Sequence, residues 1–160
     1  MDAALNGPAP LPYGGPRLLL CDDSPVERMA LGHYLRRAGF HVDEAGDGES
    51  AISQLQNSEV DAVLLDLQMP GMSGFEVLAY LQKHRKALPV ILLSGMPLDQ
   101  IQQEIHGLPT RELPPLFLKP IDLDQLLQVL DLQLRGELPD VEAPSSRSAG
   151  TSESPDQTSL

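Results

Sequence analysis

Five short apolar runs, each followed by a longer stretch of helical periodicity, leave this chain few architectures to choose from. The runs occupy residues 17–21, 40–44, 62–65, 89–93 and 115–118. All but the second are almost continuously apolar, the pattern of strands covered on both faces rather than on one. The run at 40–44 is more polar and suits an edge strand. Between the runs, Ser24-Pro25-Val26-Glu27 reads as a capping box with proline at the first helical position, and Gly39 stands where that helix should stop. Asp122 with Gln125 opens a last helix whose apolar stripe is Leu123, Leu126, Leu127, Leu130 and Leu134. Shorter helices fit at about 48–57, 74–85 and 98–106. Strand and helix alternate five times, and right-handed crossovers then give an α/β fold, a parallel sheet with helices on both faces.

In sheets of this kind, ligands bind beyond the C-terminal ends of the strands. The first run ends in Asp22-Asp23, the third in Asp66, the fourth in Ser94 and the fifth in Lys119. Three carboxylates, a hydroxyl and an ammonium therefore converge on one crevice. Carboxylates that close together raise one another's pKa, and a hard divalent cation relieves the repulsion. A small oxygen ligand set with room for water suits Mg²⁺. A carboxylate beside a metal and a lysine can attack phosphorus, while the cations stabilise the phosphoryl oxygens. Phosphoryl capture on an aspartate is the chemistry these groups suit best.

Composition bounds the rest. The chain has 160 residues, 41% of them hydrophobic, which is enough for one domain with a sizeable core. Residues 1–16 are rich in Pro, Gly and Ala without periodicity. Residues 137–160 are an acidic Ser/Pro-rich tail, so both ends are expected to be disordered, leaving a domain at 17–136. Cys21 is the only cysteine, and with the four histidines it offers no zinc-ligand spacing. No apolar run is long enough for a membrane span and the N-terminus is not a signal peptide, so the expected location is cytoplasmic, with no membrane partner. A net charge of −12 predicts no nucleic-acid partner. The basic run from Lys83 to Lys86 reads as a solvated helix end.

Four stretches carry a family resemblance: Leu18-Leu-Leu-Cys-Asp-Asp-Ser-Pro25, Val63-Leu-Leu-Asp-Leu-Gln-Met-Pro-Gly-Met-Ser-Gly74, Leu92-Leu-Ser-Gly95 and Phe117-Leu-Lys-Pro120. In order and spacing, residues 17–136 resemble a receiver domain of the two-component response-regulator family. The resemblance implies a flavodoxin-like (βα)₅ sandwich with strand order 2-1-3-4-5. It implies Asp66 as phosphoacceptor, Ser94 as switch hydroxyl and Lys119 as phosphoryl-binding cation. It also implies Mg²⁺ on Asp23, Asp66 and the carbonyl of Gln68, with Asp22 acting mostly through water, and a cis Lys119–Pro120 bond. The implied donor is a sensor histidine kinase or a phosphotransfer protein. Because the chain stops about one helix after Lys119, the sequence reading expects a stand-alone switch, not an enzyme, acting through a downstream protein or a phosphorelay.

Three other readings compete. A scaffold on the same fold could act without phosphorylation. A phosphohydrolase of the haloacid-dehalogenase type places a general acid two residues after its nucleophile, where this chain has Gln68. A flavin site fails because Asp22-Asp23 would repel a phosphate. The sequence also departs from the receiver pattern in β5, where Leu116 stands in the place of the usual aromatic and Phe117 follows it. Neighbouring residues of a strand face opposite ways, so Phe117 should not substitute.

Overall fold

The computed structural model describes residues 15–106 and 113–137. The elements run β1 (Arg17–Cys21), α1 (Pro25–Arg37), β2 (His41–Ala45), α2 (Gly48–Asn57), β3 (Ala62–Asp66), α3 (Gly74–His84), β4 (Val90–Ser94), α4 (Leu98–Ile105), β5 (Leu116–Leu118) and α5 (Leu123–Leu134). The five strands form one parallel sheet in the order β2-β1-β3-β4-β5. This is the flavodoxin-like arrangement expected from the sequence. Among the described residues no helix is long and apolar enough to cross a membrane.

Strand parity sorts the apolar runs into two cores. Leu19, Cys21, Val63, Leu65 and Leu92 face α2, α3 and α4, where Leu55, Leu78, Leu81 and Ile101 meet them. Leu18, Leu20, Leu64, Ile91 and Leu93 face the other way, onto Leu31 and Leu35 of α1 and Leu126 and Leu130 of α5. Every residue of β3 and β4 is buried, as a strand between two helical layers must be. β2 lies at the edge, and its two acids are paired: Asp43 with Arg17 at 3.0 Å, and Glu44 with Arg28 at 3.1 Å and Arg36 at 3.0 Å.

The helix starts follow local chemistry. Ser24 Oγ accepts from Glu27 N at 3.3 Å and Asp47 Oδ1 from Ser50 N at 2.7 Å. Ser73 Oγ accepts from Glu76 N at 3.4 Å, and Asp122 Oδ1 accepts from the amides of Asp124 and Gln125. Gly39 follows α1 with φ +109°, a conformation closed to side chains with a Cβ. Boundaries shift slightly from the sequence reading. β3 extends through Asp66 and β4 through Ser94, because Leu67 N donates to Leu93 O and Lys119 N to Ser94 O, continuing the ladder. β2 starts at His41, whose N–H reaches the carbonyl of Pro16 at 3.0 Å, while the Phe40 amide closes back onto Leu35. That bond ties Pro16, read from sequence as part of the N-terminal segment, to the sheet. The remaining expectations for the two ends concern residues 1–14 and 138–160, which lie outside the described residues.

Candidate functional site

The strand register brings the chemistry to one edge. Cys21 is level with Leu65 and Ala45, Asp66 with Leu93, and Ser94 with Leu118. The residues that leave β1, β3, β4 and β5 therefore emerge side by side. Asp22 and Asp66 are each only 2% exposed, whereas Asp23 faces solvent. Asp22, Asp23 and Asp66 each offer a carboxylate oxygen within 4.8 Å of the others.

Each buried acid is held by local backbone. Asp22 Oδ1 accepts from Ser24 N at 2.8 Å, and its own N–H continues the sheet onto Ala45 O. Asp66 Oδ1 accepts from Gln68 N at 2.8 Å. Lys119 follows β5, and its Nζ donates to Asp66 Oδ2 at 3.0 Å and Asp22 Oδ2 at 3.4 Å. The Lys119–Pro120 peptide is cis.

Electrostatics follow from this crowding. Burial pushes the Asp66 carboxyl up; the Gln68 amide and the Lys119 ammonium pull it down, and the charge of Asp22 adds to the rise. The result is about 6, against an ordinary 3.8. Burial alone would lower Lys119, but its bonds to Glu27 and Asp66 and the charges of Asp66 and Asp22 outweigh it and hold the ammonium firmly protonated. Cys21 lies beneath the acids, and burial, reinforced by Asp22 and Asp66, raises its thiol far out of the reactive range. It is a packed apolar residue.

Ser94 is fully buried at the end of β4, and its Oγ accepts from Met96 N at 2.8 Å. Gln68 does more than the sequence reading assigned to it. Its side-chain Oε1 accepts from Gly95 N at 3.1 Å, tying the loop after β3 to the loop after β4. Two contributors were missed altogether. Glu27, read as a capping residue, reaches Lys119 Nζ at 2.6 Å. Arg28 donates to the Asp22 carbonyl at 2.7 Å while paired with Glu44, bracing the acidic loop against the edge strand. An acid and a base in the first turn of a helix are too common for the sequence alone to single them out.

The departure in β5 is geometrically real. Leu116 packs into the layer of α2, α3 and α4, while Phe117 packs into the layer of α1 and α5. Lys83, His84 and Lys86, in the basic run at the end of α3, are exposed, as a solvated helix end should be. Tyr80 and His84 rings lie 4.6 Å apart, and Arg85 donates to the Leu55 carbonyl at 3.2 Å, joining α3 to α2.

A five-stranded parallel sheet with two buried acids and a lysine at its C-terminal edge defines an α/β domain of the flavodoxin-like class. The family model described as the response regulator receiver domain matches residues 18–131, and the chain belongs to that family. Among similar proteins, transcriptional regulatory protein TcrA of Mycobacterium tuberculosis is 34% identical over 126 residues, covering 78% of this chain and 49% of its own length. Transcriptional activator protein PfeR of Pseudomonas aeruginosa is 37% identical over 120 residues, covering 75% and 38% respectively. Among solved structures, response regulator protein TrrA of Thermotoga maritima, in complex with Mg²⁺–BeF, is 28% identical with a TM-score of 0.64, covering 74% of this chain and 98% of that one. The chain thus spans about half or less of the length of these curated relatives.

These relatives correct one expectation. Net charge predicted no nucleic-acid partner, yet the similar proteins are transcriptional regulators. A net charge describes only the stretch over which it is counted. The acidity of a receiver domain therefore carries no information on the partners of regulators built with one.

Proposed function

We propose that Asp66 is the phosphoacceptor of a phosphorylation switch, loaded by the phosphohistidine of a sensor kinase or phosphotransfer protein. The observation that carries this reading is the seating of Asp66 between two kinds of group: Lys119 Nζ at 3.0 Å on one oxygen and the Gln68 amide at 2.8 Å on the other. The attacking carboxylate is thereby oriented, with a cation beside the place the phosphoryl oxygens would take. In the transfer, an Asp66 oxygen bonds to phosphorus as the phosphorus–nitrogen bond of the donor breaks. The imidazole leaves with the electron pair, and Asp66 becomes an acyl phosphate.

The donor set fits a divalent metal. Three carboxylate ligands within 4.8 Å of one another, one of them displaced to about 6 by burial, crowd more negative charge than one ammonium neutralises. Mg²⁺ on Asp22, Asp23 and Asp66 would supply a second positive charge beside the phosphoryl oxygens. Lys119 orients one phosphoryl oxygen, and the buried Ser94 hydroxyl marks the loop that can follow the phosphoryl group. Reorganisation of the loop after β4, which Gln68 already bridges, then gives the phosphorylated state its own surface. Gln68 supplies an amide rather than a general acid two residues after Asp66, and its side chain is engaged with Gly95. That supports a switch over a turnover enzyme.

The test is intact-mass labelling with acetyl phosphate. One phosphoryl group should add in the presence of Mg²⁺, and Asp66→Asn should abolish it. Stoichiometric labelling that survives in Asp66→Asn would remove the assignment.

A further inference from the structure

The shortest contact of the Lys119 ammonium is with neither Asp66 nor Asp22. Glu27 Oε1 lies 2.6 Å from Nζ, against 3.0 Å and 3.4 Å for the two aspartates. Glu27 stands in the first turn of α1, and only its backbone N–H serves the cap, on Ser24 Oγ. Its carboxylate leaves the reciprocal place in the capping box and crosses the mouth of the crevice instead.

An ammonium has three N–H donors. Here three carboxylates take them, so none is free for a phosphoryl oxygen. One partner must let go when the phosphoryl group arrives. Asp66 takes the phosphoryl group itself, and the Asp22 side chain, only 3% exposed, has no water to turn to, so both stay in the crevice. The Glu27 side chain is 55% exposed and can be rehydrated where it stands. It also borders a cleft of about 310 Å³ between α1 and the turn after β5, which leaves room for it to swing aside. Its negative charge meanwhile opposes the incoming phosphoryl dianion.

We propose that Glu27 is a positioning residue that holds Lys119 in the unphosphorylated state and is displaced by the phosphoryl group, so that it sets the domain's affinity for that group. This rests on the reading of Asp66 as phosphoacceptor. A ligand shifts an equilibrium only through its differential interaction with the two states. Glu27 contributes that difference, because it binds Lys119 in one state and gives it up in the other.

The experiment is calorimetric titration of the full chain with beryllofluoride in Mg²⁺, comparing wild type with Glu27→Gln and Glu27→Asp. Glu27→Gln should bind about fivefold tighter, the scale of one half-exposed ion pair. Initial rates of Asp66 labelling by acetyl phosphate should rise in parallel. The ratio to wild type should shrink as salt rises to about 0.5 M, a screening response that a change in packing would not produce. Glu27→Asp, which keeps the charge, should restore wild-type affinity to within about twofold. Equal or weaker binding by Glu27→Gln, or tightening indifferent to salt, would overturn the proposal while leaving Asp66 as acceptor. A wild type that takes neither beryllofluoride nor a phosphoryl group would overturn the acceptor reading, and this inference with it.

Discussion

Asp66 titrates near 6 because folding buries it among other acids, and that displacement makes its ionised form a cost to the native state. The sign follows from linkage. With a folded value above the unfolded 3.8, the native state holds its proton longer than the unfolded chain does. Stability from this group is therefore fully present below about 3.8 and is lost as pH rises through about 6. A displacement from 3.8 to about 6 sets that loss at no more than about 3 kcal/mol. Urea unfolding in EDTA should show this decline, and saturating Mg²⁺ should flatten it. Asp66→Asn keeps an acceptor for Lys119 and removes the charge. At pH 7 without metal it should melt about 3–5 °C higher than wild type. A variant that melts lower would mean the Lys119 pairing outweighs the burial cost.

Among the elements, the contact between α3 and the end of β3 is the least forgiving. A Cβ at Gly74 would overlap the carbonyl oxygen of Asp66 and the Cα of Leu67. The helix approaches this closely only because its first residue has no side chain. Gly74→Ala should cost about 1–3 kcal/mol, the usual range for overpacking, and should also weaken Mg²⁺ binding by displacing Asp66. Ser24→Ala removes only a cap on α1, at 3.3 Å, and should cost about 1 kcal/mol. Paired chemical denaturation and metal titrations separate the two. A Gly74→Ala protein with unchanged Mg²⁺ affinity would show that the backbone yields without moving Asp66. These elements were readable from sequence in proportion to how local their signals are. Ser24, Asp122 and the continuous apolar runs act on neighbours within a turn or a strand. The close approach at Gly74 depends on a helix meeting a strand end, so no local pattern announces it.

Across the whole molecule, the sheet divides the core into two layers that do not share side chains. Leu35 of α1 and Leu78 of α3 are both fully buried, but in opposite layers. Each substitution to alanine should cost about 2–5 kcal/mol. Because the sites lack common neighbours, the double variant should lose the sum to within about 0.5 kcal/mol, and each single variant should still unfold in one transition. Separate transitions by far-UV circular dichroism and tyrosine fluorescence would show that the layers unfold independently. By itself the sequence determined the parallel α/β order, the helix caps, and the acids and lysine at the strand ends, because these follow from periodicity and from residues close along the chain. Only the tertiary structure decided that Glu27 meets Lys119, that Gln68 bridges to Gly95, and that Asp66 is pushed to about 6. Each of those depends on groups brought together by crossovers, 92 residues apart in the case of Glu27 and Lys119, where distance and burial rather than residue type set the energy.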